Sequence, residues 1–215
     1  MASLIEFIQS RWDNLLEAAL VHATYIVSVV VVAIVIGVGS GILVRNKPLA
    51  REIVLGVFAV FLTIPSLGLF VMLVPIVGLG FWAPFVALCM YALLPIARNT
   101  VAGLAGVDPA VVESARGMGL TNRERLFRIQ LPLAWPVILT GVRVAALLTA
   151  GIAAIATLVN GGGLGDFIKS GLARLGAPNS AESMWVGTLA IIVLALAFDA
   201  VFIVIKKATT SAGIR

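Results

Sequence analysis

Few side chains in this sequence can do chemistry, and their spacing excludes most of it. One cysteine, Cys89, lies inside an apolar run, so no internal disulfide can form. The single histidine, His22, stands at the entrance to another apolar run, where an interfacial role is expected of it and no metal site is. Residues Gly163 to Ser170 come close to a phosphate-binding loop, beginning at a glycine and ending in Lys169-Ser170. Ile168 occupies the position of the required second glycine, and an apolar helix precedes the run where a strand should. The run is therefore read as a flexible turn leading into a short re-entrant or surface helix over 166–175. Arg143 and Asp199 are the only charges well inside the last two apolar stretches, each about 10 to 15 Å from the same membrane face at 1.5 Å per residue. They are predicted to pair between helices, with Arg143 reaching alone to the interface as the competing account. No cluster of His, Ser or acids accompanies them, so a membrane enzyme is disfavoured.

The remaining charges concentrate elsewhere. Asp108, Glu113, Arg116, Arg123, Glu124, Arg125 and Arg128 lie in an interruption of the apolar sequence from about Ala97 to Pro132. Hydrocarbon cannot hold this density of charge, so the segment lies outside the bilayer. About 35 residues is long for a mere connector. Helical composition over Ala110 to Met118, a break at Gly119, and Thr121 or Asn122 as the cap of a second stretch predict a helix, a glycine turn and a helix.

These residues need a frame to hold them. Of the 215 residues, 61% are hydrophobic and 12% charged, and the mean hydropathy is +1.13. The chain is an all-α polytopic membrane protein, with no length left for a soluble catalytic domain. Its formal charge of +5 resides in lysines and arginines beside apolar spans, which is membrane orientation rather than nucleic-acid binding. Residues 1–22 read as an amphipathic interfacial helix lying on lipid, uncleaved because the start lacks a basic region. The transmembrane domain then occupies 23–215, with five spans at about 23–44, 53–74, 81–97, 133–159 and 184–205 and the cytoplasmic loop at 98–132. Basic clusters at Arg45, Lys47 and Arg51, in the loop, and at Lys206-Lys207 place the N-terminus outside and the C-terminus inside.

Three local features refine this frame. Gly37 and Gly41, four apart in the first span, either admit a neighbouring helix closely or are merely tolerated. Pro65 must kink or open the second span. Thr63, Pro65 and Ser66 then either face a polar translocation path or mark a packing kink. Trp82, Trp135 and Trp185 lie near span ends and read as interface anchors.

The polar interruption resembles the signature of binding-protein-dependent ABC importer permeases: Glu-Ala-Ala, three residues, Gly, nine residues, Ile-x-Leu-Pro. Here it reads Glu113-Ser114-Ala115, then Gly119, then Ile129-Gln130-Leu131-Pro132, with Ser114 the one departure. The resemblance implies a type I importer permease fold and a coupling helix that docks in a groove of an ATPase subunit. The residues assigned to it are Glu113, Ser114, Ala115, Arg116, Gly117, Gly119, Ile129, Leu131 and Pro132. A second resemblance covers nearly the whole chain, through Thr63-Ile64-Pro65-Ser66, Val74 to Gly80, Leu94 to Thr100 and Ala115 to Gly119. It is to permeases for osmoprotectants such as glycine betaine, choline or carnitine; methionine, phosphonate and sulfonate permeases share the five-span style and are the alternative. A passive channel would need no such loop.

The implied partners are two ATPase subunits, a second permease copy or homologue, an extracytoplasmic solute-binding protein and the lipid of a bacterial inner membrane. The chain takes no cofactor, ATP being bound by its partner. Thr63 and Ser66 beside Pro65 are assigned to the path. Asn160, Gly161, Gly162, Gly163 and Gly165 are assigned to an outer gate.

Overall fold

The computed structural model describes residues 2–210, with side chains described from Leu4 onward. The ends of the 1–22 and 23–215 segments, Met1 and residues 211–215, lie outside the described residues. Among the described residues all regular structure is helical.

The first helix, α1 (Ala2–Ser10), is followed at Arg11 by α2 (Trp12–Val44). The helix is therefore interrupted at Arg11, and the later part of the amphipathic start is one helix with the first apolar stretch. The Arg11 N–H still bonds Phe7 O at 3.1 Å and Ile8 O at 3.3 Å, so only one residue leaves the helical ladder. The next apolar stretch is two helices, α3 (Pro48–Thr63) and α4 (Ser66–Val77), bent by 100°. Among the described residues four helices are long and apolar enough to cross a membrane, or up to five spans if the bent pair counts as one.

Helix α5 (Trp82–Ala105) is the centre of the molecule, with 61% of its apolar window buried, against none for α10 (Ser180–Thr209). Small residues put it there. A methyl added to Gly37 would lie 2.8 Å from Ile96 Cγ2, and one added to Gly41 would lie 2.8 Å from Thr100, so α2 crosses α5 at backbone distance. On its other side Gly141 of α8 (Leu131–Ile152) meets Pro95 O, where an added methyl would come to 2.5 Å. The core joins Tyr25, Ile26 and Val29 of α2, Phe70 of α4, Leu88, Ala92 and Ile96 of α5, and Val142 and Ala146 of α8.

Two boundaries differ from expectation. Helix α5 runs eight residues beyond Ala97 to Ala105, and its Arg98 is exposed. A charge bars a residue from hydrocarbon but not from a helix that projects beyond it. On the far side of the polar segment, α7 (Asn122–Glu124) passes through a π-helical turn, Arg125–Gln130, into α8 without interruption. Helix α8 ends in a 3-10 stretch, Ala153–Val159, and α9 (Gly165–Leu172) and α10 complete the fold.

Candidate coupling element and outer turn

Between α5 and α8 the chain builds a compact projection. Asp108 accepts the Ala110 N–H at 2.8 Å and caps α6 (Pro109–Gly117), and Pro109 sits in the first turn, where its missing N–H costs nothing. The helix closes as Met118 N–H bonds Ser114 O and Gly119 N–H bonds Arg116 O. Gly119 turns the chain at φ +84°, a left-handed conformation that a side chain would strain. Thr121 then starts α7 with a capping box: its hydroxyl accepts the Glu124 N–H, and its own N–H donates to Glu124 Oε2 at 2.9 Å.

The signature residues divide by facing. Ala115 is turned inward and buried, so its small size serves packing within the chain. Glu113, Ser114, Arg116, Gly117 and Gly119 face outward, and Glu113 and Arg116 form an exposed ion pair at 3.7 Å. Ser114, the departure from the signature, bonds its hydroxyl to Ala110 O at 2.8 Å. Its donor is thus taken up by its own helix, and what it presents outward is close to the alanine it replaces. Ile129 lies in the π-helical turn; Leu131 packs on a small core of Leu104, Val107, Leu126, Ala134 and Ile138, while Pro132 is exposed. The π widening sits directly before Pro132, which has no N–H to offer the preceding turn. Sequence reading missed Val111, Met118 and Phe127, which are 41%, 70% and 63% exposed. Large apolar side chains in a charged segment were the available signal, since water alone gives no reason to leave them uncovered.

At the other end of α8 lies the 160–165 turn. Asn160 is left-handed at φ 60°, Gly161 N–H bonds Ala156 O at 2.8 Å, and Tyr25 Oη donates to Gly161 O at 3.0 Å. Gly80 N–H reaches across to Val159 O at 2.9 Å. The Thr157 hydroxyl bonds Asp166, and Lys169 Nζ donates to Thr157 O at 3.0 Å. A side chain on Gly165 would run into the carbonyl oxygen of Ala154. This turn is packed, unlike the flexible one expected; Gly161, Gly163 and Gly165 are buried, and the space a side chain would need is taken by Ala156 and Tyr25 at Gly161, by His22 at Gly163 and by the Ala154 backbone at Gly165.

His22 is likewise not interfacial but fully buried. Its Nε2 lies 2.9 Å from Ala150 O, which can only accept, so Nε2 carries the proton. Among the described residues the bare Nδ1 has no hydrogen-bond partner, and it lies behind Gly163.

At the break in the second span, Pro65 forces Ile64 into an extended conformation at ψ 130°, and Tyr91 Oη donates to the freed Ile64 carbonyl at 2.9 Å. Thr63 is exposed, with its hydroxyl bonded to Val60 O at 2.7 Å, and Ser66 is half-buried at the first position of α4. Between α8 and α10, Arg143 Nε donates to Asp199 Oδ1 at 2.5 Å and its terminal nitrogen donates to Oδ2 at 2.7 Å. This is a two-point fork in a half-buried setting. Nearer the coupling element, Trp135 Nε1 donates to Thr209 Oγ1 at 2.8 Å, so that indole ties α8 to α10.

Residues 8–210 match the family described as the binding-protein-dependent transport system inner membrane component. The chain belongs to this family. Among curated relatives it is 38% identical to the carnitine transport permease protein OpuCB of Listeria monocytogenes, over 80% of this chain and 79% of the relative. It is 33% identical to the choline transport system permease protein OpuBB of Bacillus subtilis, over 100% of this chain and 97% of that one. The osmoprotectant import permease protein OsmW of Salmonella typhimurium is 36% identical over 90% of this chain and 91% of its own length. Among solved structures, an inward-facing MetNI methionine ABC transporter superposes with a TM-score of 0.80 at 24% identity, covering 92% of this chain and 96% of that one. That likeness is one of fold. As a family member, the chain is a multi-pass membrane permease and a transport subunit.

Proposed function

We propose that this permease is the membrane-spanning subunit of an ATP-driven importer for osmoprotectants of the glycine betaine, choline and carnitine class. The carrying observation is the coupling element: a capped helix with exposed Glu113, Arg116 and Met118, turned at Gly119 and joined to α8 through an unbroken helical path. The named relatives, full-length and about a third identical, supply the substrate class.

In this reading the N-terminus is outside, the C-terminus inside, and the membrane is a bacterial inner membrane. Two ATPase subunits grip the coupling elements of two permeases, the second being another copy or a homologue. ATP binds only to those partners, and this chain takes no cofactor. ATPase closure moves α6, and the helix from Asn122 to Val159 carries that movement to the outer turn, about 55 Å away at 1.5 Å per residue. Thr63, Pro65 and Ser66 line the path, and Asn160 through Gly163 with Gly165 form the outer gate. A solute-binding protein delivers the substrate outside.

The test is reconstitution of the permease with its ATPase and binding protein in liposomes. Gly119→Asp should abolish betaine-stimulated uptake and release the ATPase on copurification while the permease still accumulates in the membrane. Unchanged uptake and association would remove the coupling role from this loop.

A further inference from the structure

A cavity of about 450 Å³ opens at the end of the molecule opposite the coupling element, between the α1–α2 junction, the 160–165 turn and the α9–α10 connection. Arg11 and Arg174 line it, as do Glu17 and Asp166. All four are exposed at the cavity mouth, and among the described residues none of them is in an ion pair, with each other or with anything else. Arg11 stands over the Phe7 ring, 5.9 Å from its centre, and Asp166 accepts only the Thr157 hydroxyl. Phe7 and Phe167, packed edge to face at 6.5 Å and both buried, form an apolar floor. The inner wall is Gly162 and Gly163, part of the 160–165 turn itself.

Two cations and two anions that share a cavity without neutralising one another suit a ligand carrying both signs. A simple anion would satisfy the arginines and be repelled by the carboxylates; a simple cation would meet the reverse. We propose that this cleft binds a small zwitterion, its oxyanion toward Arg11 and Arg174 and its ammonium toward Glu17 and Asp166. Methyl groups on the nitrogen would rest on the phenylalanine floor, and the volume falls within the usual range of about 300–1,000 Å³ for small-molecule sites. Two sources share this chemistry, a free zwitterionic solute and the headgroup of a zwitterionic phospholipid. The exposed Trp12, Leu175 and Trp185 nearby place apolar surface around the same end of the molecule. The cleft adjoins the turn assigned above to the outer gate, and its free-solute form rests on that transport reading, while binding to this chain is measured apart from passage through it.

The assembled transporter, without its binding protein, is placed in phosphatidylglycerol nanodiscs and titrated with glycine betaine and with phosphocholine by calorimetry. In parallel, nanodiscs containing phosphatidylethanolamine are analysed by native mass spectrometry for retained lipid. Saturable binding of a soluble zwitterion assigns the free-solute source, and selective retention of phosphatidylethanolamine assigns the lipid source. In whichever arm binds, Glu17→Gln and Arg174→Gln should each weaken binding at least tenfold with ATPase association unchanged. No binding in either arm overturns the proposal, and so does binding that both variants leave within twofold of the parent. Uptake in liposomes is read separately, so failure of the permease reading and failure of this one are distinguishable.

Discussion

Glu124 and Gly165 carry distinct burdens at the scale of single residues. The Thr121 backbone N–H and then its hydroxyl hold the Glu124 carboxyl below its ordinary value of 4.5, with Arg128 adding a smaller pull. Because the folded value is depressed, the cap's contribution is complete above the unfolded value and is lost as pH falls through the lowered one. Hydrogen exchange across 118–130, corrected for intrinsic rates, should show protection falling as pH drops below the ordinary glutamate value of 4.5, and Glu124→Gln should flatten that profile. A profile identical in the variant would mean the cap does not order this turn. Gly165→Ala makes the opposite kind of demand, forcing a methyl into the Ala154 carbonyl oxygen. Overpacking of this kind costs about 1–3 kcal/mol, so the variant should melt earlier in detergent and expose the 157–166 segment to protease. An unshifted melting curve would show that this turn is slack after all.

Among helical elements, α8 is the one that joins the two ends of the molecule. It touches the coupling element through the π-helical turn, α5 through Gly141, α10 through the Arg143–Asp199 fork, and the outer turn through its 3-10 end. Breaking a half-buried fork leaves one charge stranded, so Arg143→Asp or Asp199→Arg alone should lower the amount of permease in the membrane severalfold. The double exchange should restore most of it. Failure of that rescue, measured by immunoblot of membrane fractions, would mean that the contact does not hold α8 to α10. The second-span break belongs to this scale as well. A proline at mid-span announced a kink, but a bend of 100° depends on α4 packing Leu69 and Phe70 against the core and on Tyr91 capturing the freed carbonyl. Tyr91 and the core residues that receive Leu69 and Phe70 lie on other helices, distant from Pro65 in sequence.

For the whole molecule, the pattern of burial separates what serves folding from what serves assembly. The centre is α5, clasped by glycines, whereas α10 has no buried residue in its apolar window and α3 has none at all. Such faces are at home against lipid or another subunit. Substrate choice is expected to reside in the solute-binding protein, where aromatic faces hold quaternary ammonium groups. Calorimetry of that protein should therefore show saturable binding of betaine, choline or carnitine and none of methionine. Tight methionine binding instead would move the importer to another solute class.

How much of this was legible from the residues follows their chemistry. Charge density marks the stretch from about Ala97 to Pro132 as too polar for hydrocarbon, and Gly119 and Thr121 mark its turn and second cap because each acts within a few residues of itself; the Asp108 cap and the Glu124 half of the capping box emerge in the structure. The signature spacing from Glu113 to Pro132 marks the coupling element for the same reason. Apolar periodicity marks candidate spans but not the ends of the helices, which run on past Ala97 to Ala105 and begin at Trp12. Long-range placement was decided by the tertiary structure alone. His22 becomes a buried donor because Ala150 comes within 2.9 Å of it, and the glycines after Asn160 form a packed turn because Tyr25 and Gly80 close on it. Those partners lie far away in the sequence, so only the folded chain brings the contacts into being.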